Sequence, residues 1–185
     1  MSRSEVRARE VLIWVTALVL SAGDSLAAAA VAPSAGRQMA ARVQRLEDDA
    51  EIRRLLTDYG RLLDARDFAG YSRLFAQRTG EWVGGFGTAR GSAAIRKLME
   101  DNIGRMAPAT PGASHHLLTN FEIDLDGGRA TAWSRWSFVT QSPEKRPQIV
   151  FSGHYDDQLV REKGRWKFQR RVVSTDIPAG EPPAN

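Results

Sequence analysis

Apolar positions recur at helical spacing in residues 51–75, the segment around which the rest of the chain is organised. Two stripes appear there, separated by the polar-rich residues 64–67. A stripe of this kind must pack on another element, so the segment predicts a long helix, a corner and a shorter helix. Asp67 suits the N-cap of the second helix, because its carboxylate can accept an unpaired backbone N–H. The stripes consist of Ile52, Leu55, Leu56, Tyr59, Leu62 and Leu63, and then of Phe68, Tyr71, Leu74 and Phe75.

From Ser114 onward, apolar residues alternate with polar ones, as in strands that are buried on one face. Tight-turn sequences at residues 126–128 and 162–164 divide this region into hairpins. The pattern predicts strands at about residues 114–125, 129–140, 148–161 and 165–174. Because helices come first and hairpins follow, the predicted fold class is α+β, with N-terminal helices packed on a strongly curved, mainly antiparallel sheet.

Residues 1–32 differ from the rest of the chain. Three arginines precede an apolar run at residues 11–20, and small residues follow it. This order is typical of a secretory signal peptide, and the run is too short to span a bilayer. A wrongly assigned start or an extra amphipathic helix is the alternative.

The resulting expectation is a secreted or periplasmic protein with no stable membrane insertion after processing. Residues 33–46 are predicted to hold a flexible linker, at 33–38, and the start of the first helix. The folded domain is expected at residues 47–176, followed by a disordered tail at 177–185.

Composition narrows the chemistry further. The chain of 185 residues is long enough for one domain with its own core. It contains no cysteine, which excludes disulfides, thiolate nucleophiles and cysteine-held metal clusters, and its three histidines give little basis for a metal site. The net charge of +4 is mild, and basic residues are interspersed with acidic ones, so a nucleic-acid partner is not expected.

The order and spacing of several short segments resemble the SnoaL-like family of the nuclear transport factor 2-like superfamily. The resemblance covers residues 47–176 and includes scytalone dehydratase and bile acid dehydratases. It is carried by residues 58–68 (DYGRLLDARDF), 115–121 (HHLLTNF), 126–132 (DGGRATA), 153–160 (GHYDDQLV) and 164–168 (GRWKF).

This resemblance implies a cone-shaped sheet around the first helices, with a deep apolar pocket and no cofactor. Its cofactor-independent enzymes place an aspartate at the end of the first helix opposite a histidine from a central strand, with a tyrosine beside them. The matching residues here are Asp64, His116 and Tyr59. Such a set can move a proton next to a carbonyl, which predicts a dehydratase or isomerase acting on an apolar or cyclic small molecule.

Local geometry by itself leaves these assignments open. Asp64 lies about 140° round the helix from Tyr59, off the apolar stripe, so a solvated carboxylate is an alternative. Strand alternation places His115, rather than His116, on the side of Leu117 and Phe121, whereas the family match selects His116.

Further pocket residues are expected from the same match, and a second function remains open. The candidates for contacting a substrate are Trp82, Leu118, Asn120, Trp136 and His154. A second histidine that scytalone dehydratase has on the next strand is missing from residues 133–140. The alternative function is a ligand-binding or dimerisation module without catalysis, and a homodimer is expected because relatives often pair.

Overall fold

The computed structural model describes residues 34–106 and 114–178. The predicted signal peptide and most of the predicted tail therefore lie outside the described residues. Among the helices in the described ranges, none is long and apolar enough to cross a membrane.

Three helices precede or interrupt the strands. They are α1 (Ala35–Asp64), α2 (Phe68–Ser72) and α3 (Ser92–Asn102). Asp67 caps α2 as predicted, since its carboxylate accepts the Gly70 backbone N–H at 2.7 Å. The linker expected at residues 33–38 is wrong from Ala35 onward, because α1 already begins there, and Pro33 lies outside the described residues.

The described strands form one six-stranded sheet. They are β1 (Glu81–Gly84), β2 (Gly87–Arg90), β3 (Ser114–Asp126), β4 (Arg129–Gln141), β5 (Pro147–Glu162) and β6 (Arg165–Ile177). The strand order is β2-β1-β6-β5-β4-β3, and all pairs are antiparallel except β1 with β6. The predicted hairpins and the α+β class are confirmed.

The sheet curls around α1. This helix contacts both β3 and β6, although β4 and β5 separate those two strands within the sheet. Irregular pairing at points in β3, β4, β5 and β6 helps the strands to bend. The core lies between the helices and the concave face of the sheet, where Ile52, Leu56 and Phe168 are fully buried.

A β-bulge in β3 changes which residues face the core. Asn120 has a φ of 55°, and the pairing with β4 shifts between Thr119 and Glu122. His116 therefore lies on the core side before the bulge, and Phe121 lies on the core side after it. The alternation argument for His115 is wrong because it assumed an unbroken strand.

Candidate functional site

A cavity of about 790 Å³ opens between α1, α3 and the concave face of the sheet. Its volume is in the range of small-molecule pockets. Most of its wall is apolar or aromatic, including Met99, Phe138 and Phe151, and a few polar groups lie among these residues. Such a wall favours an apolar ligand that is oriented by a small number of hydrogen bonds.

Asp64 and His116 meet at the wall of this cavity. The distance between Asp64 Oδ1 and His116 Nδ1 is 2.6 Å, and Asp64 Oδ2 accepts the backbone N–H of His116 at 2.9 Å. Both side chains are largely shielded from solvent, with exposed fractions of 15% for His116 and 21% for Asp64. A carboxylate can only accept hydrogen bonds, so the tautomer of a neutral imidazole that fits this contact has its proton on Nδ1 and a lone pair on Nε2.

Gly60 allows this contact and was not recognised from the sequence. A Cβ atom at position 60 would lie 2.8 Å from Leu118 Cδ1 and 3.2 Å from His116 Cβ. Without a side chain at this position, α1 can approach β3 closely. Asp64 lies one helical turn further along α1, where it reaches His116. A glycine inside an otherwise continuous helical pattern is the signal that could have identified this contact.

Tyr59 lines the same cavity and is almost completely buried. Its hydroxyl oxygen accepts the indole N–H of Trp82 at 2.9 Å. Burial raises the pKa of Tyr59, and the positive charge of Arg171 opposes this effect only in part. The phenol therefore stays protonated at neutral pH, and it has a hydrogen to donate.

Arg171 is a second feature that sequence reasoning missed. Its guanidinium is fully buried and pairs with Asp157 through two hydrogen bonds of 2.7 and 2.6 Å. It also lies 4.0 Å from the ring centre of Tyr59 and 4.1 Å from that of Tyr155. Burial alone would lower the pKa of Arg171, but Asp157 raises it above the usual value, so the cation persists beneath the cavity.

Trp82 and Trp136 both lie in the cavity wall, where the sequence analysis expected them. Trp82 stacks on Phe86 with 5.9 Å between ring centres, and Trp136 stacks on Tyr155 at the same distance. Two stacked aromatic pairs thus contribute flat surfaces to the cavity.

Contrary to the prediction, Leu118 and Asn120 do not line the cavity. Leu118 is partly buried, but it packs against Gly60 of α1. Asn120 is exposed, because it occupies the bulge of β3 in a left-handed backbone conformation. The expectation for Asn120 failed for the same reason as the one for His115.

His154 lies on the opposite face of the sheet. Its neighbour Tyr155 faces the cavity, so His154 faces away from it. There its Nδ1 is 2.9 Å from Asp176 Oδ1, and its ring stacks on Trp133. The expectation that His154 contacts a substrate in the cavity is therefore wrong.

No cluster of three or more histidine or acidic residues that could hold a metal ion occurs in residues 34–106 and 114–178. His116 of β3 is paired with Phe138 of β4. The position on β4 opposite His116 therefore holds an aromatic ring. In the described part of the chain, His116 is the histidine that lines the cavity.

Comparison with known proteins agrees with this architecture. An uncharacterised protein of Mycobacterium bovis is 28% identical over 132 residues, which is 70% of this chain and 86% of the relative. A solved structure from Novosphingobium aromaticivorans, described as an NTF2-like protein with a cystatin-like fold, is 28% identical with a TM-score of 0.66. That match covers 75% of this chain and 88% of the other.

A second solved structure from Novosphingobium aromaticivorans, provisionally named a scytalone dehydratase, is 27% identical with a TM-score of 0.58. The match covers 71% of this chain and 85% of the other. The family model described as the SnoaL-like domain matches residues 44–172, which include the dyad, α2, α3, β1 to β5 and most of α1 and β6. The chain therefore belongs to the SnoaL-like domain family.

Proposed function

We propose that this protein is a cofactor-independent dehydratase or isomerase that acts on an apolar, cyclic small molecule. The observation that carries the proposal is the 2.6 Å contact between Asp64 and His116 at the wall of a mostly apolar cavity. The similarity to the protein provisionally named scytalone dehydratase supports a reaction of this class.

The first step assigned to the dyad is removal of a proton from carbon. His116 Nε2 takes a proton next to a substrate carbonyl, and Asp64 holds the ring through Nδ1 and stabilises the imidazolium that forms. The backbone N–H of His116 holds the Asp64 carboxylate through Oδ2, and Oδ1 of the same carboxylate holds the imidazole through Nδ1. The base is therefore oriented before a substrate enters. A cavity with few polar groups screens charges weakly, which strengthens the attraction between the Asp64 carboxylate and this imidazolium.

The role assigned to Tyr59 is to donate a hydrogen bond to the substrate oxygen. Its phenol is protonated, and Trp82 donates to its oxygen, so the phenolic hydrogen can be donated to a carbonyl on which negative charge develops. The proton on His116 can then be transferred to either of two atoms. Transfer to a different carbon of the substrate shifts the double bond. Transfer to a departing hydroxyl group completes the loss of one water molecule.

The test uses a series of bicyclic β-hydroxy ketones, with water loss followed by the absorbance of the conjugated ketone. Proton exchange next to the carbonyl in D₂O is followed by NMR on the same compounds. His116→Ala and Asp64→Asn are each expected to lower turnover or exchange by a factor of about 10² to 10⁴. The matched control is His115→Ala, since His115 is the exposed neighbour on the same strand and should leave both rates unchanged.

Binding is measured separately through the fluorescence of the cavity tryptophans. If His116→Ala retains full turnover, the dyad has no catalytic role. If ligands bind but neither reaction nor exchange occurs in the parent protein, the alternative holds, and the domain is a binding module of the same fold. The large aromatic cavity is the observation that favours this second candidate.

A further inference from the structure

The first part of α1 extends beyond the folded domain. We define residues 35–47 as the arm; all of them are exposed, and the first buried residue of α1 is Asp48. At 1.5 Å per residue the arm is about 20 Å long. The family model begins only at residue 44, so most of the arm precedes the SnoaL-like domain.

The arm carries an uncovered apolar stripe. Met39, Val43 and Leu46 are 57%, 45% and 71% exposed, and Ala50 continues the line along the helix. At 100° per residue these four positions fall within about 60° of one another, and they lie about 180° from the face on which Ile52, Leu55 and Tyr59 enter the core. A partner can therefore lie along the stripe without displacing the domain.

The spacing of the stripe favours another helix as that partner. Successive members are separated by four, three and four residues, which is the repeat of the seam in a two-stranded coiled coil. Pairing with such a helix would remove the exposed side chains of Met39, Val43 and Leu46 from water, which favours association. A helix of this kind is present in every copy of the chain.

Charges beside the stripe select a second copy in parallel orientation. In a parallel, in-register coiled coil, the residue just before the seam residue Val43 faces the residue five places further along the partner helix. These positions hold Arg42 and Glu47, which have opposite charge. Neither side chain forms an ion pair within the described parts of its own chain. A symmetric pair of chains would thus form the Arg42–Glu47 contact twice.

We propose that the arm pairs with the arm of a second copy of this chain, as a short parallel coiled coil with Met39, Val43 and Leu46 in its seam. This interface lies on the outer side of α1, away from the cavity. It does not depend on the proposed function. Because the seam spans only a few turns, association is concentration-dependent.

Charge reversal in the full chain tests the orientation and the partner. Arg42→Glu and Glu47→Arg each replace two attractions by two repulsions, so each should weaken self-association about tenfold in sedimentation equilibrium. The double variant R42E/E47R restores opposite charges and should associate like the parent. Mixing the two single variants should restore association as well. One chain then carries acidic side chains at both positions and the other carries basic ones, so both contacts join opposite charges.

Disulfide trapping gives an independent readout in this cysteine-free chain. Val43→Cys places two thiols across a parallel seam and should form a covalent dimer on mild oxidation. The matched control is Ala41→Cys, which lies on the same exposed arm but faces away from the stripe. Equal trapping of the two variants would show random collision and overturn the proposal.

Other coverings of the stripe give different results. A chain that stays monomeric at every concentration, or that associates equally in all charge variants, overturns the proposal. If the parent remains monomeric but cosediments with anionic phospholipid vesicles, and Leu46→Glu abolishes this binding, the stripe faces a lipid surface instead.

Discussion

Gly60 controls how closely α1 approaches β3, and so it controls the distance between Asp64 and His116. The missing side chain leaves room for Leu118 Cδ1 and His116 Cβ. Glycine normally weakens a helix interior by about 1 kcal/mol relative to alanine. Its presence at a buried point of α1 therefore reflects the close approach of helix and strand rather than helix stability.

Gly60→Ala is expected to disturb the dyad more than the fold. The gain in helix propensity offsets part of the packing strain, so the free energy of unfolding should change by less than about 1 kcal/mol. The Nδ1 proton signal of His116, measured by NMR, should shift because the helix must move from the strand. Gly36→Ala is the matched control, since a Cβ there meets nothing within 4 Å. An unchanged His116 signal in Gly60→Ala would contradict this prediction.

The strand β3 works as two half-strands joined by the bulge at Asn120. Before the bulge it presents His116 to the cavity, and after it Phe121 and Ile123 pack against the core. An uninterrupted strand could not bury both sets, because alternate residues face opposite sides. The bulge therefore reconciles the position of the catalytic candidate with the packing of the rest of the strand.

Asn120→Val should destabilise the protein by about 1–2 kcal/mol, because a β-branched residue fits the left-handed conformation poorly. Asn120→Gly should be tolerated, since glycine adopts positive φ values readily. Thr119→Val serves as the control, being an exposed neighbour outside the positive-φ position. Unfolding in denaturant measures all three; equal loss in the Thr119 and Asn120 valine variants would argue against the role of the bulge.

At the scale of the whole molecule, the Arg171–Asp157 pair connects the sheet to α1. Both side chains are fully buried, and the guanidinium lies against the rings of Tyr59 from α1 and Phe168 from β6. Breaking such a pair leaves one charge without a partner in a medium of low polarity. The pair therefore constrains how the helix is seated in the curved sheet.

Arg171→Met and Asp157→Leu should each lower the free energy of unfolding by about 3–5 kcal/mol. The double variant Asp157→Leu with Arg171→Met should lose much less, because no unpaired charge remains. Thermal and denaturant unfolding measure the three proteins. The exposed pair Arg96–Glu100 provides the control, since Arg96→Met should cost at most about 1 kcal/mol. Additive losses in the buried double variant would exclude this explanation.

Local pattern in the sequence determined the order of the elements, the corner between α1 and α2, the cap at Asp67 and the two tight turns. These features depend on neighbours a few residues apart, so periodicity and turn chemistry predict them. The family resemblance added the dyad, which helical geometry alone placed off the apolar stripe.

Only the tertiary structure decided which side chains share the cavity. The sheet curls far enough to bring β3 against the side of α1 that carries Asp64, and the bulge at Asn120 sets which histidine faces inward. The same folding places His154 on the outer face. These outcomes depend on contacts between residues far apart in the chain, 52 positions in the case of the dyad, and no local pattern of apolar residues encodes such contacts.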